Sequence, residues 1–399
     1  MRIYFIGQKG IPAKFGGIER HVEELSKNLA KSGHDIFVYT RLNYTPSNLN
    51  KYQGVNLISL PSIPTKYLDT ITHTLRACFD VIRKDVDIIH FHSIGPSSLL
   101  LLVKLFKPRT PIVATFHTKC YMHAKWGFFS KIYLKFGEWM ACRFANKTIT
   151  VSNSLTKYAG EKYRMNPCYI PNGVSISDGI EGEIHWQKPS LQESWGLQKG
   201  GYIIAVSRLI GHKGLHYLID AYKKIQTDKK LVIVGDGVHT DKYVKKLHDM
   251  AKNNQNIIFT GNQTGNMLRA LYENAYLFIQ PSESEGLSIA LLEAMSYGKS
   301  VLVSDIPENK EAIGDNGRTF RSANSEDLSS KLNYLLTQPS IVHKDGELNK
   351  ERVKKLYNWD KISKKTIEIY EECINNSKLK VQNSKCNVKL RIHPAKRDT

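Results

Sequence analysis

The first forty residues constrain the fold more than any other stretch. Residues 3–6 form an unbroken apolar run, as in parallel strands buried on both faces. A glycine-rich loop follows from Gly7 to Gly17. Ile18, Val22, Leu25 and Leu29 then fall on one helical face, and Gly33 ends the helix. Residues 35–39 resume as a strand. This is a βαβ unit, which implies a parallel sheet and directs ligands to the carboxyl ends of its strands.

Further strands are expected at 55–60, 86–91, 112–116 and 148–151, separated by helix-length segments. Pro171, Asn172, Gly173, Gly179, Gly182 and Pro189 then punctuate a stretch without sustained period. A second alternating series starts at 202–206 and continues at 231–234, 257–259, 276–279 and 300–303. A length of 399 residues predicts two or three domains at ~100–200 residues each, and the pattern selects two. The expected layout is an N-terminal Rossmann-like domain at 1–170, a linker at 171–200 and a second Rossmann-like domain at 201–351. Val353, Leu356, Trp359, Ile362, Ile367 and Tyr370 have helical spacing, so a last helix is expected at 352–376, followed by a basic, disordered tail at 377–399.

The chain carries 57 Lys+Arg against 37 Asp+Glu, a net charge of +20, which implies an anionic partner: nucleic acid, a phosphorylated small molecule or an acidic membrane. Six widely spaced cysteines without a C-x-x-C pair read as reduced thiols in a cytoplasmic protein. The apolar run at the N-terminus is too short for a signal peptide. The longest apolar stretch, around 99–103, is broken by Lys104, whereas a spanning helix needs ~20 apolar residues.

The chemistry is concentrated at expected strand ends. After the strand at 276–279 come Glu285, Gly286, Leu287, Ser288 and, about two turns deeper, Glu293. A helix starting near Gly286 would aim the N–H groups of Gly286, Leu287 and Ser288 at the sheet edge, where they suit a phosphate. Arg208 and Lys213 follow the first strand of the second half, a planar fork and a point charge that suit a diphosphate. Gly235 and Gly237 form a third loop at the same edge.

With these motifs in order, the chain resembles the GT-B-type, family 4 retaining glycosyltransferases. The resemblance rests on Gly16-Gly17-Ile18-Glu19, Phe116-His117, Pro171-Asn172-Gly173-Val174, Ser207-Arg208 with Lys213-Gly214, and the pair Glu285/Glu293. The N-terminal segment looks like bacterial surface-polysaccharide enzymes, including rhamnosyltransferase-like members. The resemblance implies two Rossmann-like domains facing a deep cleft. It implies that Arg208 and Lys213 bind a donor diphosphate, that Glu293 accepts from the ribose hydroxyls and that Glu285 contacts the transferred sugar. Gly286, Leu287 and Ser288 would supply backbone donors, Gly16 and Gly17 would line the floor from the other domain, and His117 would face the reacting carbon. Ser175 stands where family members often carry Asp. The implied reaction is transfer from a nucleotide-sugar, UDP-sugar favoured over GDP- or dTDP-sugar, to a lipid-linked saccharide in bacterial envelope polysaccharide synthesis. Configuration would be retained, with no cofactor and no metal. The last helix would brace the first domain.

Asp85-Val86-Asp87 is a literal D-x-D, but it precedes an apolar strand and so falls at the wrong sheet edge for a nucleotide metal. His90 and His92 share one strand face; without a third ligand they read as packed or cleft-lining side chains. Lys119, Lys125, Lys131, Lys135, Arg143 and Lys147 interleave with Tyr121, Trp126, Phe128, Phe129, Tyr133, Phe136 and Trp139 around a single acid, Glu138. That composition suits peripheral docking on an anionic membrane, here the inner face of the plasma membrane; a core helix with a solvated face is the alternative. The first loop is not G-x-G-x-x-G, which disfavours a dehydrogenase. A nucleic-acid binder would leave the two carboxylates unexplained, and no nucleic-acid partner is expected. A sugar-nucleotide epimerase on the same architecture remains the stronger competitor.

Overall fold

The computed structural model describes residues 1–122, 126–175, 191–238 and 240–392, the stretch from 380 onward as helix backbone alone. The first sheet contains β1 (Arg2–Ile6), β2 (Asp35–Arg41), β3 (Lys51–Tyr52), β4 (Val55–Leu60), β5 (Ile88–His92), β6 (Ile112–Phe116), β7 (Lys147–Thr150) and β8 (Cys168–Tyr169). Their spatial order is β3-β4-β2-β1-β5-β6-β7-β8, and every pairing is parallel except β3 with β4. The second sheet holds β9 (Tyr202–Val206), β10 (Lys230–Val234), β11 (Ile257–Gly261), β12 (Leu277–Gln280), β13 (Ser300–Ser304) and β14 (Arg318–Phe320), in the all-parallel order β11-β10-β9-β12-β13-β14. Both orders reverse direction beside the first strand of their sheet, the switch point where ligands bind in open parallel sheets.

The strands expected from apolar runs are present, with small shifts: 86–91 becomes Ile88–His92, and 148–151 becomes Lys147–Thr150. The two-residue strands β3 and β8 are too short to leave a pattern. At the domain junction the differences are larger. Residues 176–190 of the expected linker lie outside the described residues. Leu191–Trp195 is a short helix, and Leu191 and Leu197 are buried, so this part of the linker stretch is packed structure.

The single helix expected at 352–376 is two helices, Pro339–Leu356 and Trp359–Ile392. The break has a physical cause. Val174 N–H donates to the Tyr357 carbonyl at 2.9 Å, and Val174 pairs with Asn358 in a parallel bridge. Asn358 Oδ1 then accepts from Asp360 N–H at 2.7 Å and starts the next helix. The two chain crossings between the domains therefore run side by side. The expected disordered tail differs too: with no Pro or Gly between Trp359 and Ile392, the last helix continues to Ile392, and residues 393–399, including Lys396 and Arg397, lie outside the described residues. Trp359, Ile362, Ile369 and Tyr370 of this helix are buried in one core with Ile3, Phe5, Val22 and Leu25, so the first half of the last helix is packed on the first domain.

Candidate active site

The carboxyl ends of the two sheets face one another across a cleft of ≈ 720 Å³. Gly16, Gly17, His117, Arg208, Lys213, Gly235, Gly237, Glu285, Gly286, Leu287, Ser288 and Glu293 all line it.

The wall from the first domain is the glycine-rich loop. Three side chains hold it from the inside. Glu19 accepts from Lys9 N–H at 3.1 Å, and Glu23 accepts from Ala13 N–H at 2.6 Å. The Tyr44 hydroxyl accepts from the N–H groups of Lys14 (2.7 Å) and Phe15 (3.1 Å). Satisfying these loop donors with buried acceptors fixes a segment that has no ladder of its own. The Lys9 ammonium lies over the Phe15 ring at 4.5 Å, and burial lowers its pKa.

The opposite wall is built from turns after β9, β10 and β12. The turn after β10 passes so close to the turn after β9 that a Cβ on Gly235 would lie 2.0 Å from the Ser207 carbonyl oxygen; its φ of +132° also requires glycine. Lys213 Nζ donates to Glu285 Oε1 at 2.5 Å, both side chains largely buried. The helix expected near Gly286 begins three residues later, at Ile289, because Ser288 is the capping residue: its Oγ accepts from Leu291 N–H at 3.3 Å and donates to Gln280 Oε1 at 2.6 Å. Gly286 and Leu287 are therefore loop residues ahead of the helix. A Cβ on Gly286 would sit 1.7 Å from the His117 carbonyl oxygen, so the domains meet backbone to backbone at this glycine.

Glu293 lies one helical turn further in. Burial raises its pKa, opposed by Arg20, whose Nε is 3.7 Å away, and by the Tyr272 hydroxyl, which donates at 3.2 Å. Arg20, Tyr272, Tyr297, Asn262 and Gln263 also line the cleft, and sequence reading did not single them out. Arg20 is one residue beyond the Gly-Gly-Ile-Glu motif; the others carried no local signal. Asn172 joins both walls: its Oδ1 accepts from His21 Nδ1 at 2.9 Å, and its Nδ2 donates to the Leu287 carbonyl at 2.6 Å. Ser175, the departure from the family pattern, donates to Glu24 at 3.1 Å.

Asp85 and Asp87 sit before β5, at the sheet edge away from the cleft, and both bind Arg2. His90 and His92 lie on one face of β5 with ring centroids 4.1 Å apart and planes tilted by 33°. His90 is fully engaged, by the Tyr370 hydroxyl at 2.6 Å and Thr115 at 2.7 Å. The third histidine that the sequence did not offer is supplied by the fold: His21 and His117 both join His92.

The aromatic and basic segment resolves into two faces of helix Phe128–Phe144. Leu134, Gly137, Met140, Ala141 and Cys142 pack inward, and Glu138 is buried by Tyr158, Lys162 and Tyr163. Phe128 and Phe129 are 74% and 84% exposed, with Ile132, Phe136 and Trp139 on the same outward face beside exposed Lys131, Lys135 and Arg143. The neighbouring helix Leu100–Phe106 adds Leu105, 75% exposed, and Phe106. Tyr121 is buried instead, and Lys125 lies outside the described residues. Among the described residues no helix is long and apolar enough to cross a membrane.

Two parallel-sheet domains with a cleft between their carboxyl edges define a GT-B architecture. Solved structures agree: sucrose-phosphate synthase from Thermosynechococcus elongatus superposes with a TM-score of 0.79 at 18% identity, covering 94% of this chain and 99% of that one. The Anabaena HepE protein, solved with UDP-glucose, gives 0.75 at 20% identity, covering 93% and 100%. Residues 15–178 match the model of Glycosyltransferase Family 4, and residues 187–359 match that of Glycosyl transferases group 1. The protein is a glycosyltransferase of the GT-B type carrying both of these domains. Relatives include an uncharacterized glycosyltransferase of Methanocaldococcus jannaschii, 26% identical over 93% of this chain and 98% of its own. Another is the alpha-monoglucosyldiacylglycerol synthase of Streptococcus pneumoniae, 24% identical over 75% of this chain and 70% of its own.

Proposed function

We propose that the protein transfers a sugar with retention from a UDP-sugar, in preference to a GDP- or dTDP-sugar, to a lipid-linked saccharide in bacterial envelope polysaccharide assembly. O-antigen, capsule and exopolysaccharide are the products in view. The observation that carries the reading is the convergence of Arg208, Lys213 and the Glu285–Ser288 loop at one end of the cleft, opposite His117 and the glycine-rich loop. Breaking the bond between the sugar's anomeric carbon and the phosphate oxygen leaves positive character on the sugar and negative charge on the diphosphate. Fixed cations aimed at that charge stabilise the transition state more than the ground state.

In this reading Arg208 and Lys213 hold the diphosphate and make a metal unnecessary, while Glu293 accepts from the ribose and Glu285 from the sugar. The acceptor hydroxyl attacks from the face the leaving group departs, its proton passing to the released phosphate oxygen; this order requires no covalent glycosyl-enzyme. His117 and the buried loop keep the sugar oriented and water out. A UDP donor is supported by the HepE structure with UDP-glucose. A lipid acceptor is supported by the relative named alpha-monoglucosyldiacylglycerol synthase and by the outward aromatic face of helix Phe128–Phe144, which suits peripheral attachment to an anionic membrane from the cytoplasmic side.

The test is a transfer assay with a panel of UDP-, GDP- and dTDP-sugars, in EDTA, with lipid-linked saccharides as acceptors and the product anomer read by NMR. The expected result is acceptor-dependent transfer from a UDP-sugar with the donor's configuration. Release of a free epimer without acceptor, or an inverted product, overturns it.

A further inference from the structure

The proposed reaction uses His117 and leaves His21 and His92 unemployed. The three come from separate elements, helix Gly17–Lys31, β5 and the residue after β6, and are buried together. Each offers one ring nitrogen within 4.8 Å of the others. His92 Nδ1 and His117 Nε2 are 3.3 Å apart, a long contact for a hydrogen bond but close to the ~3.3 Å edge of a tetrahedron with Zn–N bonds of about 2.0–2.1 Å.

The protons are arranged for a ligand set. Asn172 Nδ2 donates to the Leu287 carbonyl, so its Oδ1 faces His21 Nδ1 and places the His21 proton there. That leaves the lone pair on His21 Nε2, which is buried without a hydrogen-bond partner among the described residues; His92 Nε2 is also without one and is the ring position that carries the proton when Nδ1 coordinates. A histidine whose second nitrogen donates to an amide or carboxyl oxygen is the usual support of a metal ligand. Burial keeps the rings neutral, with the pKa of His21 pushed down to about 4 and those of His92 and His117 well below the ordinary value. Neutral imidazole is the coordinating form. Three imidazoles without a carboxylate select zinc, cobalt or nickel over magnesium, manganese or calcium.

We propose that His21, His92 and His117 form a binding site for a divalent cation of the zinc class, with its fourth position open to the cleft beside His117, and that occupancy reversibly shuts off transfer. Coordination requires only that the proton shared by His92 and His117 move to the other nitrogen of its ring, so no proton is released. The cation fixes the His117 ring through Nε2, and the group in its fourth position narrows the sugar end of the cleft. The site is inhibitory, and so compatible with transfer that needs no metal.

The test uses untagged, full-length protein stripped with EDTA and dialysed. Titration with cobalt(II) should give one equivalent with the intense visible absorption of a tetrahedral site, and zinc should displace it. X-ray absorption of the zinc form should count three imidazole nitrogens; this reading needs no variant. His21→Gln and His92→Gln, checked for an unchanged melting temperature without metal, should each weaken binding at least tenfold. His34→Gln, which removes a ring nitrogen 3.4 Å from the terminal amine, should not. One equivalent of zinc should abolish transfer, and EDTA should restore it.

Lack of saturable binding, fewer than three imidazoles in the shell, or full binding by the two folded variants overturns the site. Undiminished transfer by the zinc-loaded enzyme overturns the switch. The binding measurements do not depend on transfer, so a failure of the proposed reaction leaves them decisive on their own.

Discussion

Lys213 and Glu285 are each other's partner at 2.5 Å, so removing either changes two groups at once. Lys213→Ala deletes a cation from the diphosphate end and leaves a buried carboxylate unpaired, whereas Arg208→Ala deletes only the fork. Loss of one positioned charge at a developing anion costs ~10²–10³ in rate. Both variants should therefore lose at least about a hundredfold in kcat/KM, with Lys213→Ala also less stable; full activity with normal donor affinity in Arg208→Ala would remove the diphosphate role. Arg20 supports a pH prediction. Burial raises the Glu293 pKa and Arg20 opposes the rise, so in Arg20→Leu the carboxyl should titrate at higher pH and lose its acceptor character as pH falls. UDP affinity of Arg20→Leu, measured calorimetrically, should weaken several-fold more between pH 7.5 and 5.5 than that of the unaltered protein. Equal pH dependence would show that Arg20 does not act on Glu293. Arg208, Lys213, Glu285 and Glu293 were legible because each stands at a fixed offset from a strand's carboxyl end. Arg20, Tyr272 and Asn262 were not, since helix and loop faces from different domains bring them to Glu293 or the cleft, and no local pattern encodes that meeting.

Element boundaries follow the same division. Strands read from apolar runs fall within two residues of their places, because burial on both faces leaves a continuous signal. The start of helix Ile289–Ser296 was misplaced by three residues, since Ser288, with Gln280 as its partner across the turn, outcompetes the glycine as the cap. The break at Tyr357 and Asn358 was invisible because it depends on Val174, far away in sequence. Helix Phe128–Phe144 shows what composition alone could not: which rings face out. Phe128 and Phe129 are exposed, so the double change Phe128→Ser with Phe129→Ser should shift stability by only about 0.5 kcal/mol per site. It should abolish flotation with vesicles containing anionic lipid while leaving transfer to a detergent-dispersed acceptor in place. Unchanged flotation would move membrane docking to another surface.

At the scale of the whole molecule, the two domains carry different burdens. The first domain buries His21, His73, His90, His92 and His117, each with its pKa lowered chiefly by desolvation, His21 and His73 to about 4. In the second domain His216 is lowered too, and it is partly exposed. Above the ordinary histidine pKa of about 6.5 both folded and unfolded chains hold these rings neutral, and pH has no leverage. Below it the unfolded chain takes up protons that the folded domain refuses, so stability falls, and keeps falling until the folded-state pKa is reached. Each ring contributes up to about 1.4 kcal/mol per pH unit, and five together up to about 7. Against a typical domain stability of about 5–15 kcal/mol, one to two units below pH 6.5 suffice to unfold the first domain. Urea titrations in EDTA should show one transition near pH 7.5 resolving into two by about pH 5.5, the earlier belonging to the first domain. His21→Gln, lacking one buried ring, should soften the pH dependence of that transition alone. A first-domain midpoint independent of pH over this range would mean that the buried rings accept protons in place, through water or rearrangement, and that the cleft floor is not the dry, neutral surface its packing describes.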